Sequence, residues 1–183
     1  MTKNILVIVG SSSVGGSTDI LADSFIKGAV DNGNAVKKAH LGKMKVNPCL
    51  HCNQCFLRGA SCVQEDGMQE IYPAFREADT IVFASPVYFF SLSAQMKALI
   101  DRLYAFGFSE GFRLPPKECV LLATAADGHD DTFVLTEALY ERLFTDFLGW
   151  KDVGRVLARG IIDRDEIEDE PFLEEARRLG ASL

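Results

Sequence analysis

The sequence predicts one α/β domain, a parallel sheet with helices packed on both faces, and three observations lead there. Residues 5–9 are apolar throughout, and 80–84 and 119–125 are apolar but for Thr80 and Thr124, without the alternation of a half-exposed strand, as strands buried on both sides are. Stretches with a helical apolar period separate these runs, and strands alternating with helices build parallel sheets through right-handed crossovers. Residues 35–41, by contrast, are of mixed polarity and suit an edge strand.

The first strand, 5–9, ends in the small-residue turn G-S-S-S-V-G-G-S-T at 10–18. A helix is expected over about 17–32. Leu21, Phe25 and Ala29 share one face, Ala22, Ile26 and Val30 lie beside it, and Asn32-Gly33 is a suitable stop. The edge strand at 35–41 leads into a cysteine-rich connection over about 42–66, long enough to need a function or a ligand to order it. Residues 68–78 read as helix with Ile71, Ala74, Phe75 and Ala78 inward; the strand at 80–84 and then S-P-V-Y-F-F follow. Ser93 can cap a helix whose apolar face is Met96, Leu99, Ile100, Leu103 and Phe106, with Lys97 and Asp101 paired on the wet side. A Gly-, Phe- and Pro-rich loop at 106–116 precedes the strand at 119–125 and a polar turn at 126–131. A helix is expected over 133–148 through Leu135, Leu139, Leu143 and Phe147, then a strand at 153–158 and a helix at 171–179. Five strands with the edge strand second in sequence fit the flavodoxin-like order 2-1-3-4-5, a three-layer sandwich. No repeat, low-complexity segment or linker divides residues 1–183, so a single domain is expected.

The chain has 183 residues, 48% of them hydrophobic and 25% charged, an ordinary soluble composition with room for a large core. A net charge of −7 without a Lys/Arg run argues against nucleic acid and anionic membrane as partners. No apolar run approaches a membrane span, and the start M-T-K-N-I-L-V-I-V-G lacks the features of a signal peptide. A cytoplasmic location is therefore expected. In that reducing compartment clustered cysteines are metal ligands or redox-active more often than structural disulfides.

In such a sheet ligands bind beyond the carboxyl ends of the strands, beside the first one. The turn at 10–18 sits there, and its amides, its serines Ser11, Ser12, Ser13 and Ser17, and Thr18 make an anion cradle at a helix N-terminus. No lysine follows the glycine pair, and the dinucleotide G-x-G-x-x-G spacing is absent, so a terminal monophosphate suits it best. An ordinary strand-to-helix turn capped by Ser17 would use the same residues. Ser85-Pro86-Val87-Tyr88-Phe89-Phe90 follows the adjacent central strand and offers flat apolar surface for a planar ring, although aromatics at a strand end are usually core. Thr124-Ala125-Ala126-Asp127-Gly128 has small residues that let a ring approach the backbone.

Cys49, Cys52, Cys55 and Cys62 lie close together in C-L-H-C-N-Q-C-F-L-R-G-A-S-C, with Gly59 in the gap before the fourth. Thiolates gathered this way suit an Fe–S cluster or Zn, and metal-free redox-active thiols fit the same pattern. Four sulfurs complete a tetrahedral set, so His51 reads as a solvent-facing or hydrogen-bonding side chain. Cys119, His40 and His129 read as structural or surface residues, and Asp101 and Arg102 as a helix salt-bridge surface. Phe106, Phe108 and Phe112 could cover a ligand across a subunit contact, with a core role as the default.

These segments carry a resemblance. G-S-S-S-V-G-G-S-T, P-C-L-H-C-N-Q-C, D-G-M at 66–68, A-S-P-V-Y-F and S-A-Q-M-K-A-L-I-D-R at 93–102 resemble the flavodoxin-like NADPH-dependent FMN reductases, and within them the iron–sulfur flavoproteins. The resemblance implies FMN with its phosphate at Ser11, Ser13, Ser17 and Thr18. It implies the ring against Pro86, Val87, Tyr88 and Phe89, with Thr124, Ala125, Ala126 and Asp127 at the far edge. It also implies a [4Fe–4S] cluster on Cys49, Cys52, Cys55 and Cys62. Two positions depart from the family pattern: Ser13 stands where an arginine is common, and Ala125-Ala126 where adjacent glycines are usual.

The expected function is therefore an FMN-dependent oxidoreductase reduced by NAD(P)H, passing electrons through the cluster to a small-molecule or protein partner. A cluster-free FMN or quinone reductase is one rival. A non-enzymatic electron carrier or thiol redox sensor is the other. No side chain is nominated as a catalytic acid or base, because the cofactors carry the chemistry. A homodimer or homotetramer is expected from the resemblance and from the aromatics flanking the cysteine loop.

Overall fold

A computed structural model describes residues 2–58, 62–109, 114–169 and 171–183. Its strands are β1 (Asn4–Val9), β2 (Ala35–His40), β3 (Thr80–Tyr88), β4 (Ser91–Leu92), β5 (Glu118–Thr124) and β6 (Lys151–Ala158). The helices are α1 (Ser17–Asp31), α2 (Gln54–Leu57), α3 (Met68–Glu77), α4 (Ala94–Arg102), α5 (Phe106–Ser109), α6 (Val134–Tyr140) and α7 (Phe172–Ala181). The parallel sheet runs β2-β1-β3-β5-β6, and β4 pairs antiparallel with the end of β3. With the two-residue β4 set aside, this is the expected 2-1-3-4-5 order.

The sheet divides the core in two. Ile5, Val7 and Val9 of β1, with Val82 and Ala84 of β3, pack with Leu21, Ala22, Phe25 and Ala29 of α1 and Ala176 of α7. Leu6, Ile8, Ile81 and Phe83 face the opposite layer, with Ile71 and Phe75 of α3, Met96 and Leu99 of α4, and Tyr140 of α6. Both faces of each central strand are covered, so the alternation of a half-exposed strand never develops.

On the first face α1 and α7 meet backbone to backbone. A Cβ at Gly28 would stand 1.9 Å from the Arg177 carbonyl oxygen, and one at Gly180 would stand 2.1 Å from that of Phe25. Only glycine at both positions permits this approach. The opposite helix Val134–Tyr140 continues as a π-helix over Glu141–Phe147.

Two expected helix faces differ. Val30 is exposed, so the second row of α1 stops short of it. The stripe Leu135, Leu139, Leu143 and Phe147 is not the buried one: Leu135 and Phe147 are exposed, and Phe133, Tyr140 and Phe144 are buried. Phe133, Thr136, Tyr140 and Phe144 themselves recur at helical spacing, so the buried stripe is the neighbouring face of the same period and is set before the π-turns begin at Glu141. Phe144 stacks on Phe83 with ring centroids 4.1 Å apart, and the Tyr140 hydroxyl donates to Asp152 at 3.2 Å. Phe106 is core, edge-on to Tyr72 and stacked on Phe75. The side chain of Phe108, all of Phe112 and Gly59 lie outside the described residues.

Candidate functional site

The segments after β1, β3 and β5 converge on one groove of about 490 Å³, within the roughly 300–1,000 Å³ typical of cofactor sites. Of the residues expected there, Ser11, Ser13, Ser17, Thr18, Pro86, Val87, Tyr88, Thr124, Ala125 and Ala126 line it. Phe89 does not: it is 99% exposed at the tip of the β3–β4 turn. Asp127 also lies outside the lining, since its carboxylate turns into its own loop and accepts from Thr132 Oγ1 at 2.7 Å and the His129 amide at 3.2 Å. Those contacts hold that carboxyl below the usual range.

The N-terminus of α1 opens into the groove. Its cap residue Gly16 supplies no side-chain acceptor, which leaves first-turn amides to be satisfied from outside the helix. Ser11 Oγ accepts the Ser13 amide at 3.0 Å and closes the turn. Thr18 Oγ1 and Thr124 Oγ1 lie 2.7 Å apart, so a buried hydroxyl pair ties the first loop to the third. Behind the groove, Ser93 Oγ donates to the Gly10 carbonyl at 2.7 Å and accepts the Met96 amide at 3.1 Å. Ser93 is thus both the expected cap of α4 and a brace for the first loop.

Asp19 sits in the first turn of α1, where its charge would oppose an anion, yet it is buried and already engaged. It accepts the amide of Gly15 (φ 70°) at 2.8 Å and pairs with Lys38 at 2.5 Å. Burial pushes its carboxyl up, and the Lys38 ammonium and Gly15 amide together bring it below the usual range. His40, read from sequence as structural, accepts the Gly42 amide through Nδ1 at 3.1 Å and places Nε2 3.5 Å from Asp19.

A second, smaller pocket of about 20 Å³ is lined by Cys49, Cys52, Cys55 and Cys62 together with His51, Tyr104 and Arg102. Cys49 and Cys52 are exposed, Cys55 is buried and Cys62 is intermediate. His51 and Asn53 take left-handed backbone conformations (φ 50° and 56°), and the His51 amide donates to Cys49 Sγ at 3.5 Å. Burial, followed by the neighbouring Cys62 and Cys49, pushes the Cys55 thiol up despite nearby amides. Among the described residues no three Cys, His, Asp or Glu side chains are gathered closely enough to hold a single metal ion.

The neck of the 42–66 segment is stapled. Asp66 accepts the Asn47 amide at 2.9 Å and the Met68 amide at 3.0 Å, and Gly67 donates to the Lys45 carbonyl at 2.9 Å. Arg102 grips Asp66 with both terminal nitrogens at 2.6 and 3.2 Å and donates to the Asn47 carbonyl at 2.8 Å. Arg102 is 1% exposed, so it is the buried floor of the cysteine pocket and not a surface salt bridge. Asp101 does behave as expected, pairing with Lys97 at 2.7 Å in solvent.

Sequence reasoning missed the groove's fourth wall, made by Ile161, Ile162, Asp163 and Arg164 after β6. The only hint was that this segment also follows the carboxyl end of a parallel strand.

The model of the NADPH-dependent FMN reductase family matches residues 3–158. An iron-sulfur flavoprotein of Archaeoglobus fulgidus is 37% identical over 100 residues, 55% of this chain and 45% of that protein. The chain thus spans about half the length of that relative. A Bacillus subtilis relative, whose name of NAD(P)H-dependent FMN-containing oxidoreductase is itself provisional, is 25% identical over 185 residues and covers 96% of this chain and 95% of its own. In three dimensions the chain superimposes on an NAD(P)H:quinone oxidoreductase from Methanothermobacter marburgensis with a TM-score of 0.80, at 18% identity, covering 100% of this chain and 96% of that one. The chain belongs to the NADPH-dependent FMN reductase family.

Proposed function

We propose that the chain is an FMN-dependent oxidoreductase that takes electrons from NAD(P)H and passes them to a small-molecule or protein acceptor. The convergence of three loops and the uncapped α1 N-terminus on one groove carries this reading. Ser11, Ser13, Ser17 and Thr18 would hold the phosphate, with first-turn amides as donors. Pro86, Val87 and Tyr88 would support the ring, and Thr124, Ala125 and Ala126 would border its far edge. Bound FMN supplies two-electron acceptance and single-electron release, which leaves binding, orientation and exclusion of water to these side chains.

The cysteine pocket supports a finer reading, a [4Fe–4S] cluster held by Cys49, Cys52, Cys55 and Cys62. Its donor set fits: all four sulfur-bearing residues border one pocket, and an amide already donates to Cys49. A cluster-free reductase is the second reading, favoured by the Bacillus subtilis relative named an FMN-containing oxidoreductase, which matches over 96% of this chain where the iron-sulfur flavoprotein matches over 55%.

Anaerobic purification separates these readings. The proposal expects a flavin spectrum that bleaches with NADH or NADPH, together with iron and acid-labile sulfide. Flavin without iron after reconstitution leaves the cluster-free reductase. Bound flavin that neither nicotinamide bleaches leaves an electron carrier.

A further inference from the structure

We propose that Arg164 supplies the cationic contact for the phosphate end of the bound flavin mononucleotide, presented by a fourth wall formed by residues 161–164. This inference rests on the FMN reading and adds a residue from a loop remote in sequence from the phosphate turn.

Among the described residues lining the groove, Arg164 is the sole cation. The phosphate turn itself offers only hydroxyls and amides, and Asp19 beneath it is acidic. A phosphomonoester near −2 in charge would therefore find no positive side chain unless the fourth wall provided one. The wall also stands at the phosphate end. Ser17 Oγ, in the first turn of α1, donates to the Asp163 carbonyl at 3.4 Å, one residue before Arg164. Asp163 lines the groove too, as the wall's acidic member.

The segment is held in place at both ends. The Ile161 amide donates to the Ala125 carbonyl at 2.9 Å and the Gly160 amide to the Asp127 carbonyl at 3.2 Å, joining the wall to the third loop. Beyond it, the Glu166 carboxylate accepts the amides of Ile162 at 2.6 Å and Asp163 at 3.1 Å, fixing the turn on which Arg164 sits. Arg164 is 62% exposed, and its recorded ion partner is the adjacent, more exposed Asp165 at 3.5 Å. Such an exposed pair is weak, so the guanidinium can turn its fork to a phosphate at little cost.

The test is fluorescence titration of flavin-stripped protein with FMN and, in parallel, with riboflavin, which lacks the phosphate. Arg164→Ala is expected to weaken FMN binding roughly tenfold, to leave riboflavin binding unchanged and to flatten the salt dependence of FMN binding. Arg164→Lys should restore part of the FMN affinity. Glu166→Ala, which frees the turn, should lower FMN affinity in the same phosphate-specific way. FMN affinity of Arg164→Ala within about twofold of wild type overturns the inference, as does equal weakening toward both flavins. If the wild-type protein quenches neither flavin, the FMN reading itself fails, a result distinct from either of these.

Discussion

Arg102 is a single side chain that does two jobs: it closes the neck of the cysteine segment and floors the pocket beneath it. Its partner Asp66 is buried with it, so Arg102→Met would strand a carboxylate in the core. That substitution should cost about 3–5 kcal/mol, read as a lower urea midpoint, and adding Asp66→Asn should recover a large part of the loss. Asp19 makes a different prediction, in pH. Its folded carboxyl lies below the ordinary 3.8, so the unfolded chain binds the proton more readily. The stability it contributes is complete above the ordinary value and is lost as pH falls through the folded one. Lys38, opposed by burial but raised by Asp19 and Asp23, behaves in the opposite sense and contributes until pH climbs beyond 10.5. Urea midpoints measured between neutral pH and pH 3 should therefore fall, and fall less steeply in Asp19→Asn. The residue scale is also where sequence reading was weakest. Arg102 lies one position after a solvent-facing Asp101 on the same helix, and nothing in a helical period tells an exposed arginine from one with a buried acid waiting across the fold.

Two elements illustrate what packing adds. The contact between α1 and α7 depends on Gly28 and Gly180, each facing a carbonyl of the other helix. Either glycine changed to alanine should cost about 1–3 kcal/mol or more, because backbone and not a flexible side chain must yield. In the sequence both glycines look like weak points in helices; their purpose exists only in the pair. The β3–β4 turn is the other case. Tyr88 pairs with Ser91, leaving Phe89 and Phe90 as a two-residue turn at φ 49° and 64°, angles that favour Asn and Gly. Phe89→Asn with Phe90→Gly should raise thermal stability by relieving about 1–3 kcal/mol of backbone strain per residue. The aromatics thus stay there at a cost in stability, beside a groove that Tyr88 lines. By contrast, the buried strands were legible beforehand, because continuous apolar runs have few other uses in a chain of this composition. The cap at Ser93 was legible for a similar reason: a hydroxyl just before an apolar period has a local task.

At the scale of the whole molecule, the sheet order sets the first, second and third loops side by side, and that convergence was foreseeable once five strands were counted. The fourth wall was not, because its placement rests on bonds between distant parts of the chain, Ile161 to Ala125, Gly160 to Asp127 and Ser17 to Asp163. Leu50 and Leu57 of the cysteine segment are exposed, as are Phe56 and Phe147. Such a surface fits the proposed self-association, for which light scattering should give at least a dimer mass; a strict monomer would contradict it. The central claim is that the groove holds FMN, and acid release of the chromophore from anaerobically isolated protein tests it most directly. One FMN per chain is the predicted result. A colourless protein that also leaves the fluorescence of added FMN unquenched would contradict the account.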